Sequence, residues 1–118
     1  MIVGTVRILP LAARREQVLE ILRSVQGPVR AQPGCAACDI YEEQGAERAI
    51  VLIERFDSDE ALQAHLRSDN YWRVLRALEL SQGEPQIRFE HVSASEGLEL
   101  IERYRLATAR DKRKGDRS

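Results

Sequence analysis

"ERAIVLIERF", Glu47 to Phe56, alternates in a way that decides the fold. Ile50, Leu52 and Phe56 point to one side of an extended chain, and Ala49, Val51 and Ile53 to the other. A strand with one wet face would carry polar residues on that side. This strand is apolar on both sides, so both faces of its sheet need cover.

Just upstream, "CAACDIYEE" from Cys35 reads as a partner strand, joined through a turn at Gln44-Gly45-Ala46. "MIVGTVRIL" alternates too, with Ile2, Val6 and Ile8 on one side and Val3, Thr5, Arg7 and Leu9 on the other. From about Ala13 the period becomes helical through Val18, Leu22, Val25 and Val29. Gly27-Pro28 predicts a break or kink, because proline lacks an N–H and clashes with the preceding turn. The helix then resumes on Pro28 and ends at "QPG".

Downstream, Asp57 with Glu60 resembles a capping box. Helical pieces are expected over 58–67 and 69–80, and Gly83 is a natural stop. "PQIRFEHVS" is the last strand. Ser93 with Glu96 offers another capping box, before a helix with Leu98, Ile101 and Tyr104 on one stripe.

The order β-α-β-β-α-β plus a C-terminal helix implies a ferredoxin-like α+β domain with an antiparallel sheet. Right-handed crossovers put the helices on one face. The other face then needs a partner, since burial is worth roughly 25 cal/mol per Å² of apolar area. A second copy stacked sheet to sheet is the simplest cover, which predicts a homodimer, a dimeric α+β barrel. The expected division is 1–95 for the domain, 96–110 for a C-terminal helix that extends the dimer contact, and 111–118 for a basic flexible tail.

At 118 residues, 43% apolar and 31% charged, the chain suits one soluble domain. No apolar run reaches about 18 residues, so no span of a membrane is expected. The first residues lack the features of a signal peptide, and a cytoplasmic location is the default expectation. The net charge is −1, with five basic and two acidic residues from Arg110 onward. The remaining body is therefore acidic, which argues against nucleic acid as the main partner.

The chemistry concentrates in "FDSDEALQAHLRSDNYW", Phe56 to Trp72, which holds the sole tryptophan and one of the two histidines. His65 falls on the inward stripe Ala61, Leu62, His65, Leu66. Three readings are open: a hydrogen-bonded core histidine, a pocket base with a suitable unperturbed pKa near 6.5, or a haem or metal ligand. No second metal ligand lies at a recognisable spacing. Tyr71, Val74, Leu75 and Leu78 form the next stripe, with Trp72 beside it: core packing, or an aromatic wall for a flat ring. His91 is read as an exposed or half-buried strand residue.

Arg7, Glu54, Arg88 and Glu90 lie on strands that ought to be covered, and must pair if buried. Arg88 suits either an anionic oxygen or an ion pair in the dimer interface. Cys35 and Cys38 enter a strand, where residues three apart stand about 10 Å apart, beyond disulfide reach. Both are expected as free thiols. No glycine run suits a nucleotide, flavin or nicotinamide.

Pro33-Gly34-Cys35 before the second strand, Glu54 with Phe56 and Ser58 closing the third, and Leu62 with His65 on the helix form a set. Over about residues 1–95 this set resembles the antibiotic biosynthesis monooxygenase family, which includes quinol monooxygenases and haem-degrading enzymes. The resemblance implies a ferredoxin-like domain that dimerises through its sheets. It also implies a cofactor-independent monooxygenase acting on a quinol, phenolic or polyketide-like aromatic substrate with dioxygen. His65 would be the base, and Phe56, Asn70, Tyr71, Trp72, Leu75 and Arg88 would contact a small aromatic or hydrophobic ligand. The chain departs from the family at Phe56, often tryptophan there, at Asn70, where a second histidine is common, and in a first strand without asparagine. The alternatives are a non-catalytic barrel binding a small hydrophobic ligand, and a haem-binding or haem-degrading protein.

Overall fold

A computed structural model describes residues 1–106. Alternation gives β1, Ile2–Ile8, one fully buried side and one half-buried side. β2, Cys35–Glu42, and β3, Ile50–Phe56, form the expected hairpin, and β4 is Gln86–His91. The four strands make one sheet in the order β2-β3-β1-β4, with every pairing antiparallel. This is the ferredoxin-like α+β arrangement.

The helices are α1, Arg15–Arg30, α2, Asp59–Leu66, and α3, Asp69–Leu78. Val18, Leu22, Val25 and Val29 of α1 pack with Ile2, Val6, Ile8, Ile50, Leu52 and Phe56 in one core. The break at Gly27-Pro28 does not occur, and α1 runs through Pro28. The unbroken stripe from Val18 to Val29 holds it. Proline removes the hydrogen bond to the Ser24 carbonyl, but Ser24, Gly27 and Pro28 are all exposed, so water can satisfy that group.

The cap of α2 is also shifted. Ser58, not Asp57, is the N-cap, and its hydroxyl accepts from the Ala61 amide at 3.1 Å. Ser68 caps α3 through the Tyr71 amide and donates its hydroxyl proton to the His65 carbonyl. That double use fixes the corner between α2 and α3.

The helices leave β4 uncovered: its six residues are all exposed, although His91 at its end reaches Asp59 at the start of α2. On the far side of the sheet, Val3, Thr5, Arg7, Val51 and Ile53 are only half-buried. Residues 98–106 are helical, with Leu98 and Ile101 more than half exposed. The Ser93 cap is absent: the turn is closed by the Glu99 carboxylate, which accepts from the Gly97 amide. The last part of the expected helix, 107–110, and the tail 111–118 lie outside the described residues. No helix among the described residues is long and apolar enough to cross a membrane.

Candidate functional site

The face of β3 that carries Ile50, Leu52 and Phe56 also carries Glu54, because all four alternate positions fall on one side. A carboxylate on the core side of a central strand must meet a partner. His65 supplies it from α2. Its Nε2 lies 2.8 Å from Glu54 Oε2, and the two side chains are 1% and 3% exposed. The approach is short but not aligned as an N–H···O hydrogen bond, so it is a contact of charge and dipole. The imidazole packs against the Phe56 ring at 4.8 Å between centroids and meets Tyr71 edge-on at 5.2 Å.

The other ring nitrogen faces the opposite way. His65 Nδ1 lies 2.9 Å from Gln32 Nε2, and Asn70 Nδ2 donates to Gln32 Oε1 at 2.9 Å. Gln32 and Asn70 belong to the wall of a cleft of about 610 Å³ with Pro33, Gly34, Ser58 and Ala64. A continuous polar chain thus runs from the cleft through Asn70, Gln32 and His65 to Glu54.

Gly34 shapes this cleft. Its φ is +80°, and a Cβ there would lie 2.5 Å from Ala61 Cβ and 2.7 Å from Asp57 Oδ1. Only glycine allows the turn after α1 to approach the start of α2 this closely.

Burial and the Glu54 charge act on neighbouring groups. The Cys38 thiol is pushed up to about 12, first by burial and then by Glu54, whose Oε2 is 4.0 Å away. Burial, seconded by Glu54, raises Tyr71, and burial raises Cys35. Both cysteines are free thiols. Their separation differs from the expectation, because a bulge between Cys35 and Ala37 pairs Cys35 with Phe56 and Cys38 with Glu54. The thiols therefore share the core face, only two register positions apart, roughly 7 Å along the strand.

The structure gathers His65, Phe56, Tyr71 and Asn70, with Leu75 partly buried against the same core. It does not bring Trp72 or Arg88 to them. Trp72 is 63% exposed and lines a separate groove between α1 and α3 with Ile21 and Arg76. It follows buried Tyr71, about 100° further round the helix and outside the arc of Tyr71, Val74, Ala77 and Leu78, and so turns outward. Arg88 stands on the far side of the sheet beside Thr5 and Glu90. Arg7, on that side, pairs with Glu43 at 2.7 Å and with Glu47 at 2.6 Å. Glu54 was legible as a charge needing a partner; Gln32 sits in a connection whose sequence carries no periodic signal.

The residues present do not fit haem ligation. His65 has Glu54 against one nitrogen and Gln32 against the other, and it is 1% exposed and not in the wall of the cleft, which leaves no open face on which a haem could lie. Among the described residues, no three histidine, cysteine or acidic side chains converge as a metal site would need.

A four-stranded antiparallel sheet with helices on one side is a ferredoxin-like α+β fold, and here it holds a buried histidine–carboxylate pair behind a cleft. The family profile of antibiotic biosynthesis monooxygenases matches residues 1–77, and the chain belongs to that family. Rv0793 of Mycobacterium tuberculosis, provisionally named a monooxygenase, is 36% identical over 66 residues. That match covers 55% of this chain and 63% of the relative's length. The solved structure of Rv0793 superposes with a TM-score of 0.73 at 25% identity, covering 81% of this chain and 98% of that one. A Deinococcus radiodurans structure provisionally named an antibiotic biosynthesis monooxygenase gives a TM-score of 0.74 at 16% identity, over 82% and 97% of the two chains. At that identity the likeness concerns the fold alone.

Proposed function

We propose that the protein is a cofactor-independent monooxygenase that oxidises a quinol or related phenolic aromatic with dioxygen. The observation that carries the reading is the buried Glu54–His65 pair joined through Gln32 to the wall of the cleft. Family membership supports the reaction type. The substrate ring occupies the cleft against Pro33 and Ala64, and its hydroxyl gives its proton to His65. The electron pair stays on oxygen, and the anion reacts with dioxygen. For a hydroquinone, one oxygen atom enters the ring and the other leaves as water, so hydroquinone and O₂ give hydroxyquinone and water. The substrate supplies all four electrons. The protein contributes a proton acceptor, orientation and exclusion of water.

Oxygen uptake by colourless protein with a hydroquinone, and hydroxyquinone as product, is the expected result. No uptake across a panel of hydroquinones and phenols, with retained binding of an aromatic ligand, would instead favour a non-catalytic barrel for small hydrophobic molecules.

The working form in this reading is a cytoplasmic homodimer closed across the far side of the sheet. Half-buried Val51 and Ile53 support it, as does the exposed stripe of Leu98 and Ile101. Sedimentation should give twice the chain mass, and truncation after Ser93 should weaken association. A monomer at micromolar concentration would contradict it.

A further inference from the structure

We infer that Gln32, anchored by Asn70, is the positioning residue that holds His65 in the tautomer whose basic nitrogen, Nδ1, faces the cleft. The catalytic consequence rests on the function proposed above. The tautomer itself does not.

The direction of the whole chain follows from its buried end. Glu54 is 3% exposed and presents Oε2 at 2.8 Å from His65 Nε2. The contact is not aligned as a hydrogen bond, but a bare Nε2 puts the negative end of the ring dipole beside a carboxylate oxygen, and a protonated Nε2 puts the positive end there, with little solvent to screen either. The proton therefore belongs on Nε2. A neutral ring then has a bare lone pair on Nδ1. That nitrogen needs a donor, and Gln32 Nε2 stands 2.9 Å away, nearer than Gln32 Oε1 at 3.4 Å.

An amide can turn over and present its oxygen instead. Asn70 opposes this, because its Nδ2 donates to Gln32 Oε1 at 2.9 Å. Turning Gln32 over alone would break that bond and set two N–H groups against each other, so the two amides can only turn together. The chain then runs in one sense: Asn70 donates to Gln32, Gln32 donates to His65 Nδ1, and Nε2 keeps its proton beside Glu54 without an aligned hydrogen bond. The cleft lies at the Asn70–Gln32 end, and both residues are in its wall, whereas His65 is not.

Two chemical consequences follow. A substrate hydroxyl entering from the cleft meets Gln32 first, and reaches Nδ1 by taking the place of its N–H. The substrate O–H bond then breaks, its electron pair stays on oxygen, and the new N–H bond forms on Nδ1. The resulting imidazolium holds a proton on both nitrogens, beside the Glu54 carboxylate. The Nδ1 proton then passes to the oxygen atom that leaves as water, and Gln32 returns its N–H to the bare Nδ1. The pair thus resets as a base between turnovers.

The test is nitrogen-15 NMR of the His65 ring in the full chain at a pH where the ring is neutral. Wild type should show protonated Nε2 and a bare Nδ1. Gln32→Glu, which at that pH offers only acceptor oxygens, should move a proton onto Nδ1. Asn70→Ala should leave a mixture of tautomers, and Asn70→Ser, which keeps a donor, should restore most of the wild-type form. In oxygen uptake, Gln32→Glu and Asn70→Ala should lower kcat by about 10–100-fold, the scale of a misplaced catalytic group, with a smaller change in KM. Gln32→Leu guards against a trivial folding effect, since it keeps shape and removes both amide ends; it too should lose the single tautomer. A proton on Nδ1 in wild type, or an unchanged ring in Gln32→Glu and Asn70→Ala, would overturn the assignment. A correct tautomer pattern without oxygen uptake would leave the positioning role standing and remove only the proposed reaction.

Discussion

Two histidine–carboxylate pairs meet at α2, and they differ in almost nothing but their surroundings. His65 of α2 faces Glu54 of β3 at 2.8 Å, and His91 of β4 faces Asp59 of α2 at 3.1 Å. The first pair is 1% and 3% exposed; the second is 69% and 63% exposed. Water solvates His91 and Asp59 whether or not they touch, so their contact contributes little. Glu54 and His65 have given up that water, and each depends on the other. Distance alone does not mark a functional pair. Burial, the second link through Gln32 and the nearby cleft set His65 apart.

The largest expected effect comes from removing one partner of each pair. Glu54→Ala leaves His65 and the surrounding core with an unmatched polar group, and should cost about 3–5 kcal/mol in urea unfolding. Asp59→Ala should cost less than about 1 kcal/mol. Equal losses would erase the contrast.

Gly34→Ala should rank next, at about 1–3 kcal/mol, because the residue holds a left-handed φ and a Cβ meets Ala61 and Asp57. The same variant should narrow the cleft. A Gly34→Ala protein as stable as wild type would mean that the turn relaxes freely.

A smaller effect concerns pH. The Cys38 thiol is raised in the folded chain from 9.0 to about 12 by burial and by Glu54. The folded state therefore keeps this proton where the unfolded state releases it. Its contribution is fully present below about pH 9 and is lost as pH rises toward 12. Cys38→Ala should flatten the alkaline fall in stability, and native Cys38 should resist alkylation longer than Cys35. Equal alkylation rates would contradict a closed core beside Glu54.

The smallest effect is on salt dependence. Raising ionic strength to about 1 M should screen the exposed His91–Asp59 pair and leave the buried pair unaffected. Urea unfolding of Asp59→Ala and wild type at low and high salt would show it: their small difference in stability should vanish at about 1 M salt, whereas the loss in Glu54→Ala should stay the same.

Much of the fold was legible because a strand declares its faces every second residue and a helix every third or fourth. The β3 stretch Ile50, Leu52, Phe56 and the α1 stripe from Val18 to Val29 needed nothing more. Errors arose where a local rule met a stronger tertiary one. Pro28 signalled a break, yet the α1 stripe carried the helix past it in a place where water could reach the freed carbonyl. Cys35 and Cys38 were spaced as in a regular strand, and the bulge, which no residue type announces, moved them to one face. In the site, His65 was legible from its inward stripe, and Glu54 from the parity it shares with Leu52 and Phe56. Trp72 was misleading, since an aromatic one position from a buried stripe falls either way. Gln32 was invisible, because its role depends on where the turn after α1 comes to rest against α2.

The most direct measurement compares oxygen uptake with a hydroquinone by His65→Gln and by wild type, with the thermal melt recorded on the same samples. Glutamine keeps a polar group near Glu54, so the variant should remain folded. If His65 is the base, kcat/KM should fall by about 10²-fold or more. A folded variant with full turnover would contradict the account and leave the Glu54–His65 pair as a structural contact alone.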